Sequence, residues 1–147
     1  MRQLSTGVTI VTTKTIEGKK EGVTINTFTS LSLNPLLILF NLKKSSFCYQ
    51  SFIESKNFTV NILSESQQKL SNLFTKEAAE KWDHSALYSK TLTSSPAFQN
   101  GIAFLECEHY KHYDGGDHTI MIGKVINSAY INKSKPLMYF RGEYINI

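Results

Sequence analysis

Apolar and polar positions along this chain alternate mostly with a period of two, the signature of strands that bury one face. Residues 7–13 carry Val8, Ile10 and Val11 in such a stretch, and the polar residues 14–21 around Gly18 read as a hairpin turn. Residues 22–28 predict a second strand, with Val23, Ile25 and Thr27 alternating against Thr24, Asn26 and Phe28. Residues 36–42 are nearly all apolar, the pattern of a strand covered on both faces. Further strands are predicted at 58–63, at 102–113 and 119–131 around the turn Asp114-Gly115-Gly116-Asp117, and at 137–140. The period turns helical twice. Residues 45–55 set Cys48, Tyr49, Phe52 and Ile53 on one stripe. Ser64 and Gln67 have the spacing of a capping box, and Leu70, Leu73 and Phe74 then form the buried face of a helix running to about Phe74. Residues 76–95 are anchored only by Trp82, Leu87 and Tyr88 and read as a loop or lid. Many antiparallel strands with a few short helices predict a mainly β fold, a β-barrel with helical insertions.

Composition narrows the class. With 147 residues and neither an internal repeat nor a linker-like tract, one domain over 1–147 is expected. Apolar residues at 41% against 19% charged exclude a disordered chain. The longest apolar run, 36–40, is strand-sized and far short of the ~18 residues a membrane helix needs. The first seven residues lack the apolar centre of a secretory signal, so a cytoplasmic protein away from the membrane is expected. Cys48 and Cys107 are too few for a disulfide scaffold and have no zinc-site spacing, and they read as packed thiols. The net charge of +4 favours small anionic partners such as phosphates. The lysines are spread along the chain, so nucleic acid is not expected.

Three segments carry candidate chemistry. Leu42-Lys43-Lys44-Ser45-Ser46 leaves a strand and enters a predicted helix, where free N–H groups, hydroxyls and ammonium groups would suit a phosphate. The plain alternative is a capped helix with solvated lysines. Residues 22–32 are dense in hydroxyls and amides on and after a strand, which suits a flat polar ligand or else a Thr-rich edge strand. Residues 114–120 use two glycines to turn tightly and deliver His118 to the start of a strand, either as a catalytic group or as an ordinary surface histidine.

In order along the chain, these segments resemble a known family. The pieces are LSTGVTIVTT (4–13), GVTINTFTSLSL (22–33), PLLILFNLKKSS (35–46), FTVNIL (58–63), FLEC (104–107), GGDHTIMI (115–122) and PLMYFRGEY (136–144). They are similar to the flavin reductase-like, FMN-binding split-barrel family, the short reductase components of two-component flavin monooxygenases. The resemblance implies a split β-barrel that dimerises and binds FMN or FAD near the subunit interface. Carried over by position, Thr24, Ile25, Asn26, Thr27, Ser30 and Ser32 would follow the flavin ring and ribityl chain. Asn41, Lys44, Ser45 and Ser46 would line the ribityl and phosphate region, flanked by Phe74 and Lys76. His118 would sit near the nicotinamide face as the catalytic residue, and Tyr139 and Arg141 would approach the same cleft.

The implied activity is NAD(P)H-dependent flavin reduction, with NADH or NADPH as co-substrate and reduced flavin passing by diffusion to a partner such as a monooxygenase. The chain has no G-x-G-x-x-G fingerprint, so the nicotinamide would be held loosely. Three other readings stand beside this one: a flavin-binding electron carrier without efficient NAD(P)H oxidation, a barrel for another cofactor such as haem or a deazaflavin, and a ligand-free interaction module. Relatives also carry an arginine- or glycine-containing loop where this chain has 76–95.

Overall fold

A computed structural model describes residues 2–147. Its strands are β1 (Thr6–Gly7), β2 (Thr9–Lys14), β3 (Lys20–Ile25), β4 (Thr29–Leu33), β5 (Leu36–Lys43), β6 (Asn57–Ile62), β7 (Ala103–Gly115), β8 (His118–Tyr130), β9 (Met138–Phe140) and β10 (Glu143–Ile145). Two short helices are α1 (Tyr49–Glu54) and α2 (Gln68–Leu73). The fold is mainly β. A seven-stranded sheet runs β3-β2-β6-β7-β8-β5-β4, and a small sheet runs β1-β9-β10. Every strand pair is antiparallel.

The large sheet is buried on both sides where it matters. Val11 belongs to a core with Phe40, Phe52 and Phe58. Its neighbours Val8 and Ile10 belong to a second core with Leu63, Phe74 and Phe98. A strand between two cores cannot keep a polar face, which is why Thr9, Thr12 and Thr13 are buried as well. In the first core Phe40 meets Phe58 edge-on at 5.2 Å and Phe52 at 6.2 Å. Gly123 makes this approach possible, because a Cβ there would lie 2.4 Å from the Phe58 ring.

Several boundaries differ from the sequence reading. The strand expected over 22–28 ends at Ile25, and β4 begins separately at Thr29. The cause is Thr27, whose Oγ1 donates to Asn41 O (3.1 Å) and accepts from Asn41 N (3.0 Å), turning the chain onto β5. The strands β1, β4 and β10 are absent from the sequence reading; β1 and β10 are two and three residues long and exist by pairing with β9. The helix expected over 45–55 starts only at Tyr49. Residues 43–49 first make tight turns, with Ser46 N on Lys43 O and Tyr49 N on Ser46 O. The Ser64–Gln67 capping box is present, opening a 3₁₀ turn that leads into α2.

Residues 76–95 contain one 3₁₀ turn, Ala79–Trp82. Trp82 stacks on Phe98 (6.1 Å, 12°) and meets Phe74 edge-on at 4.8 Å. Further along, Glu106 of β7 accepts the amides of Leu92 and Thr93. Among the described residues no helix is long and apolar enough to cross a membrane.

Candidate functional site

β3 and β4 are the outer strands of the large sheet and are not hydrogen-bonded to each other. A cleft of about 470 Å³ opens between β3 and the end of β5. β3 and the turn after it supply Val23, Thr24, Ile25, Asn26 and Thr27. The end of β5 and the turn after it supply Asn41, Leu42, Lys43, Ser45, Ser46 and Phe47, while Thr75 and His118 complete the lining. A smaller hollow of about 180 Å³ shares Thr24, Ile25, Asn26 and Thr75 with it and adds Val8, Tyr139 and Tyr144. The two form one groove. Its Lys43, Ser45, Ser46 and His118 end is basic and hydroxyl-rich. Its other end is aromatic, with Tyr139 and Tyr144 edge-on at 5.4 Å.

The edge of β3 is partly used by the protein itself. Thr24 N donates to Phe74 O (3.0 Å), and the Thr24 hydroxyl donates to Ser71 O (2.7 Å), so α2 braces this wall. Tyr144 braces it from the far side through Ser71 Oγ (2.7 Å) and Asn72 Oδ1 (3.0 Å). The side-chain amides of Asn26 and Asn41 and the Ser45 hydroxyl take no protein partner among the described residues. These are the groove's free polar groups.

His118 is oriented by its neighbour, with Nδ1 2.6 Å from Asp117 Oδ1. The hydrogen bond from His118 and its charge hold the Asp117 carboxyl below the ordinary aspartate value. An ionised carboxylate only accepts, so Nδ1 carries the hydrogen and Nε2 is left as the ring's free position. Lys44 pairs with Asp114 across the adjacent turn, which raises the lysine and lowers the aspartate.

The sequence-predicted residues divide accordingly. Thr24, Ile25, Asn26, Thr27, Asn41, Ser45, Ser46 and His118 meet in the larger hollow, and Tyr139 in the smaller. Ser30 and Ser32 lie on β4, outside both linings. Lys44 is engaged by Asp114, and it is Lys43 that lines the cleft. The Phe74 ring is buried in the second core, so only its carbonyl reaches the wall. Lys76 is exposed and touches this region through its carbonyl. Arg141 stands in the β9–β10 turn at φ 54, with Nε on Gln3 Oε1 (2.9 Å).

The expectation that Ser45 and Ser46 open a helix is corrected. α1 has six residues, begins at Tyr49 and has Cys48 at its N-cap, so the two serines sit in the preceding turn. A dipole argument for anion binding does not apply to them, although their hydroxyls still face the cleft.

Sequence reasoning missed Phe47, Thr75 and Tyr144, and it included Lys43 in the phosphate-suited segment 42–46 while carrying only Lys44 over by position. Lys43 had a signal: two positions after Asn41 on one strand, it shares a face with it. Thr75 and Tyr144 had none, because tertiary packing alone brings them there. Among the described residues no group of three or more His, Cys, Asp or Glu is placed to hold a metal.

The profile of the flavin reductase like domain matches residues 1–147. The reductase component of a flavin-dependent trigonelline monooxygenase from Acinetobacter baylyi is 37% identical over 139 residues, 95% of this chain and 44% of that protein. The chain thus spans less than half the length of that relative. The reductase subunit HsaB of a flavin-dependent monooxygenase from Rhodococcus jostii is 35% identical over 150 residues, 99% of this chain and 73% of that one. Among solved structures, the Streptomyces globisporus NADH:FAD oxidoreductase SgcE6, in complex with NAD and FAD fragments, superposes with a TM-score of 0.93 at 29% identity, covering 99% of this chain and 87% of that one. Matched by the profile from end to end and by relatives above 30% identity along almost its whole length, the chain belongs to the flavin reductase like domain family.

Proposed function

We propose that this chain is an NAD(P)H-dependent flavin reductase, one domain over residues 1–147 that reduces FMN or FAD and supplies it to a partner such as a monooxygenase. The observation that carries this reading is the groove. It gathers on one surface Thr24, Ile25, Asn26, Thr27, Asn41, Ser45, Ser46 and Tyr139, part of the set that the family resemblance assigns to the flavin. The split-barrel form belongs to the same proposal, with the groove as the split between β3 and β5.

The residues present fit a flavin. The groove offers hydroxyls and a lysine at one end, where a phosphate would sit, and free amides along the middle for a polar ring edge and ribityl hydroxyls. Its volume lies in the range of small-molecule sites, ~300–1,000 Å³. When bound, the flavin supplies the hydride-accepting chemistry and a dihydronicotinamide supplies the hydride. This chain's residues bind and orient. Lys43, Ser45 and Ser46 would hold the phosphate, and Asn26 and Asn41 would fix the ring and side chain. His118 Nε2 would position the nicotinamide nucleotide, with Asp117 fixing the tautomer. Direct hydride transfer asks for no protein base, so positioning is the larger contribution.

A homodimer is part of the proposal. Leu31, Leu33 and Leu36 on the β4–β5 hairpin are exposed, Leu33 by 89%, and a second copy would cover them. The site of action proposed is the cytoplasm.

The test is anaerobic. Purified protein is mixed with FMN and then NADH or NADPH, and the flavin absorbance is followed. Catalytic bleaching above a protein-free control is expected. Flavin binding without bleaching by either nucleotide would instead make the chain a flavin carrier.

A further inference from the structure

Lys81 is the charged group that this chemistry leaves unexplained. It sits on the 3₁₀ turn Ala79–Trp82 and is only 3% exposed. An ammonium taken out of water is normally compensated by a carboxylate. Among the described residues none bridges it, and the acid nearest to it on β3, Glu21, is already paired with Lys19 at 2.9 Å. Its partners are instead two carbonyls and two rings. Nζ donates to Gly22 O (3.0 Å) and Lys76 O (3.2 Å), and it lies 4.5 Å from the Phe47 ring centre and 4.8 Å from that of Phe74.

Three of these contacts adjoin different parts of the groove wall. Gly22 precedes Val23, Thr24 and Ile25 on β3. Phe47 lines the cleft directly, next to Ser45 and Ser46. Lys76 follows Thr75, which lines both hollows. The wall segments come from β3, the turn after β5 and the end of α2, and this ammonium contacts or adjoins all three. A cation held against desolvated aromatic faces is attracted by their quadrupoles, which sets the side chain's position.

We propose that Lys81 is a positioning residue for the flavin: its buried charge fastens Phe47, Thr75 and β3 into one wall, and flavin affinity depends on that charge. This rests on the reading of the groove as a flavin site. Lys81 does not touch the ligand; it acts through the residues that do. The charge is conditional, since burial lowers the lysine from its ordinary value. The groups facing it are the Cys48 thiol, Glu21, Glu77 and Lys19. Burial pushes the Cys48 thiol up from its ordinary value.

The experiment is a titration of the full chain with FMN, followed by steady-state reduction with NADH, for the unaltered protein, Lys81→Met and Lys81→Arg. Lys81→Met is expected to weaken FMN binding about tenfold and to raise the KM for FMN correspondingly, with kcat at saturating FMN within about twofold. Lys81→Arg keeps a cation that stacks on aromatic rings and is expected to restore affinity to within about threefold. The unaltered protein is expected to lose FMN affinity on the alkaline side before the ordinary lysine range, and Lys81→Arg to stay flat there. Equal FMN affinity in Lys81→Met and the unaltered protein overturns the proposal. So does equal loss in Met and Arg variants, which marks packing rather than charge. If Lys81→Met does not fold, the Arg variant's pH profile decides alone: an alkaline limb unchanged from the unaltered protein overturns the proposal. Failure of the unaltered protein to bind FMN is a separate result and overturns the flavin reading itself.

Discussion

Two regions of this molecule are rich in amides and hydroxyls, and they use them in opposite ways. Under the sheet, where residues 91–99 cross β6 and β7, Asn61 and Glu106 are buried and paired. Asn61 donates to Ile10 O (3.0 Å) and Thr12 Oγ1 (3.3 Å), and its Oδ1 accepts Phe98 N (2.9 Å). Glu106, fully buried, accepts from Leu92 N, Thr93 N, Thr93 Oγ1 and Asn127 Nδ2 at 2.7–3.1 Å. In the groove the frame is equally well braced, but Asn26, Asn41 and Ser45 are left without protein partners among the described residues. Polar residues satisfied by their own chain build a rigid frame. Polar residues held rigidly and left unsatisfied at a groove are offered to a ligand.

That contrast can be broken by mutation. The largest effect is expected at Glu106. Replacing it by alanine strands buried donors and should cost about 3 kcal/mol or more in urea unfolding. Its titration has a defined sign. Burial opposes the charge, but hydrogen bonds from Asn127, Thr93 and Leu92 outweigh burial and hold the carboxyl below the ordinary glutamate value. The unfolded chain therefore takes up the proton first as pH falls. The stability Glu106 contributes is complete above the ordinary glutamate range and is lost as pH drops through the folded-state value. In Glu106→Gln this acid limb should flatten; an unchanged limb would assign it elsewhere.

The groove should answer differently. His118→Ala should lower NADH-driven turnover about 100-fold at saturating flavin, with FMN affinity within about twofold. Unchanged turnover would remove His118 from the reaction. Asn41→Ala and Ser45→Ala should each weaken FMN binding by about tenfold while the unfolding free energy moves by no more than about 0.5 kcal/mol. A large loss of stability in either would make the groove part of the frame and erase the distinction. The smallest effect is expected for Lys44→Ala. Its partner Asp114 is exposed, so the unfolding midpoint should not move measurably, and FMN affinity should hold because Lys43 faces the cleft. Loss of FMN affinity would return Lys44 to the phosphate site.

The sequence made the strands legible wherever burial had a simple period. The runs at 36–42 and 58–63 became β5 and β6 with one-residue shifts, because apolar content alone marks a strand covered twice. The hairpin of β7 and β8 was readable from Gly115 and Gly116, the latter at φ 78. β4 was not, because the turn that creates it depends on Thr27 gripping a backbone fourteen residues away. The site was legible to the same degree. Residues on one strand or turn, such as Thr24 to Thr27, could be read together. Phe74 could not be told from a lining residue, since only packing shows that its ring faces Trp82 and Phe98 while its carbonyl serves Thr24. Asn61 and Asn41 look alike in sequence and differ only in what the fold sets opposite them.

The chain has a single tryptophan, and the fold has put it beside the groove. Trp82 rests against Phe98 and Phe74, and the carbonyl of Phe74 is bonded to Thr24 of the wall. Indole emits where an oxidised flavin absorbs. Filling the groove should therefore quench the ultraviolet emission of the whole protein by energy transfer from one donor at one location. The protein carries its own optical ruler, and the depth of that quenching reports the distance between Trp82 and a flavin held in the groove.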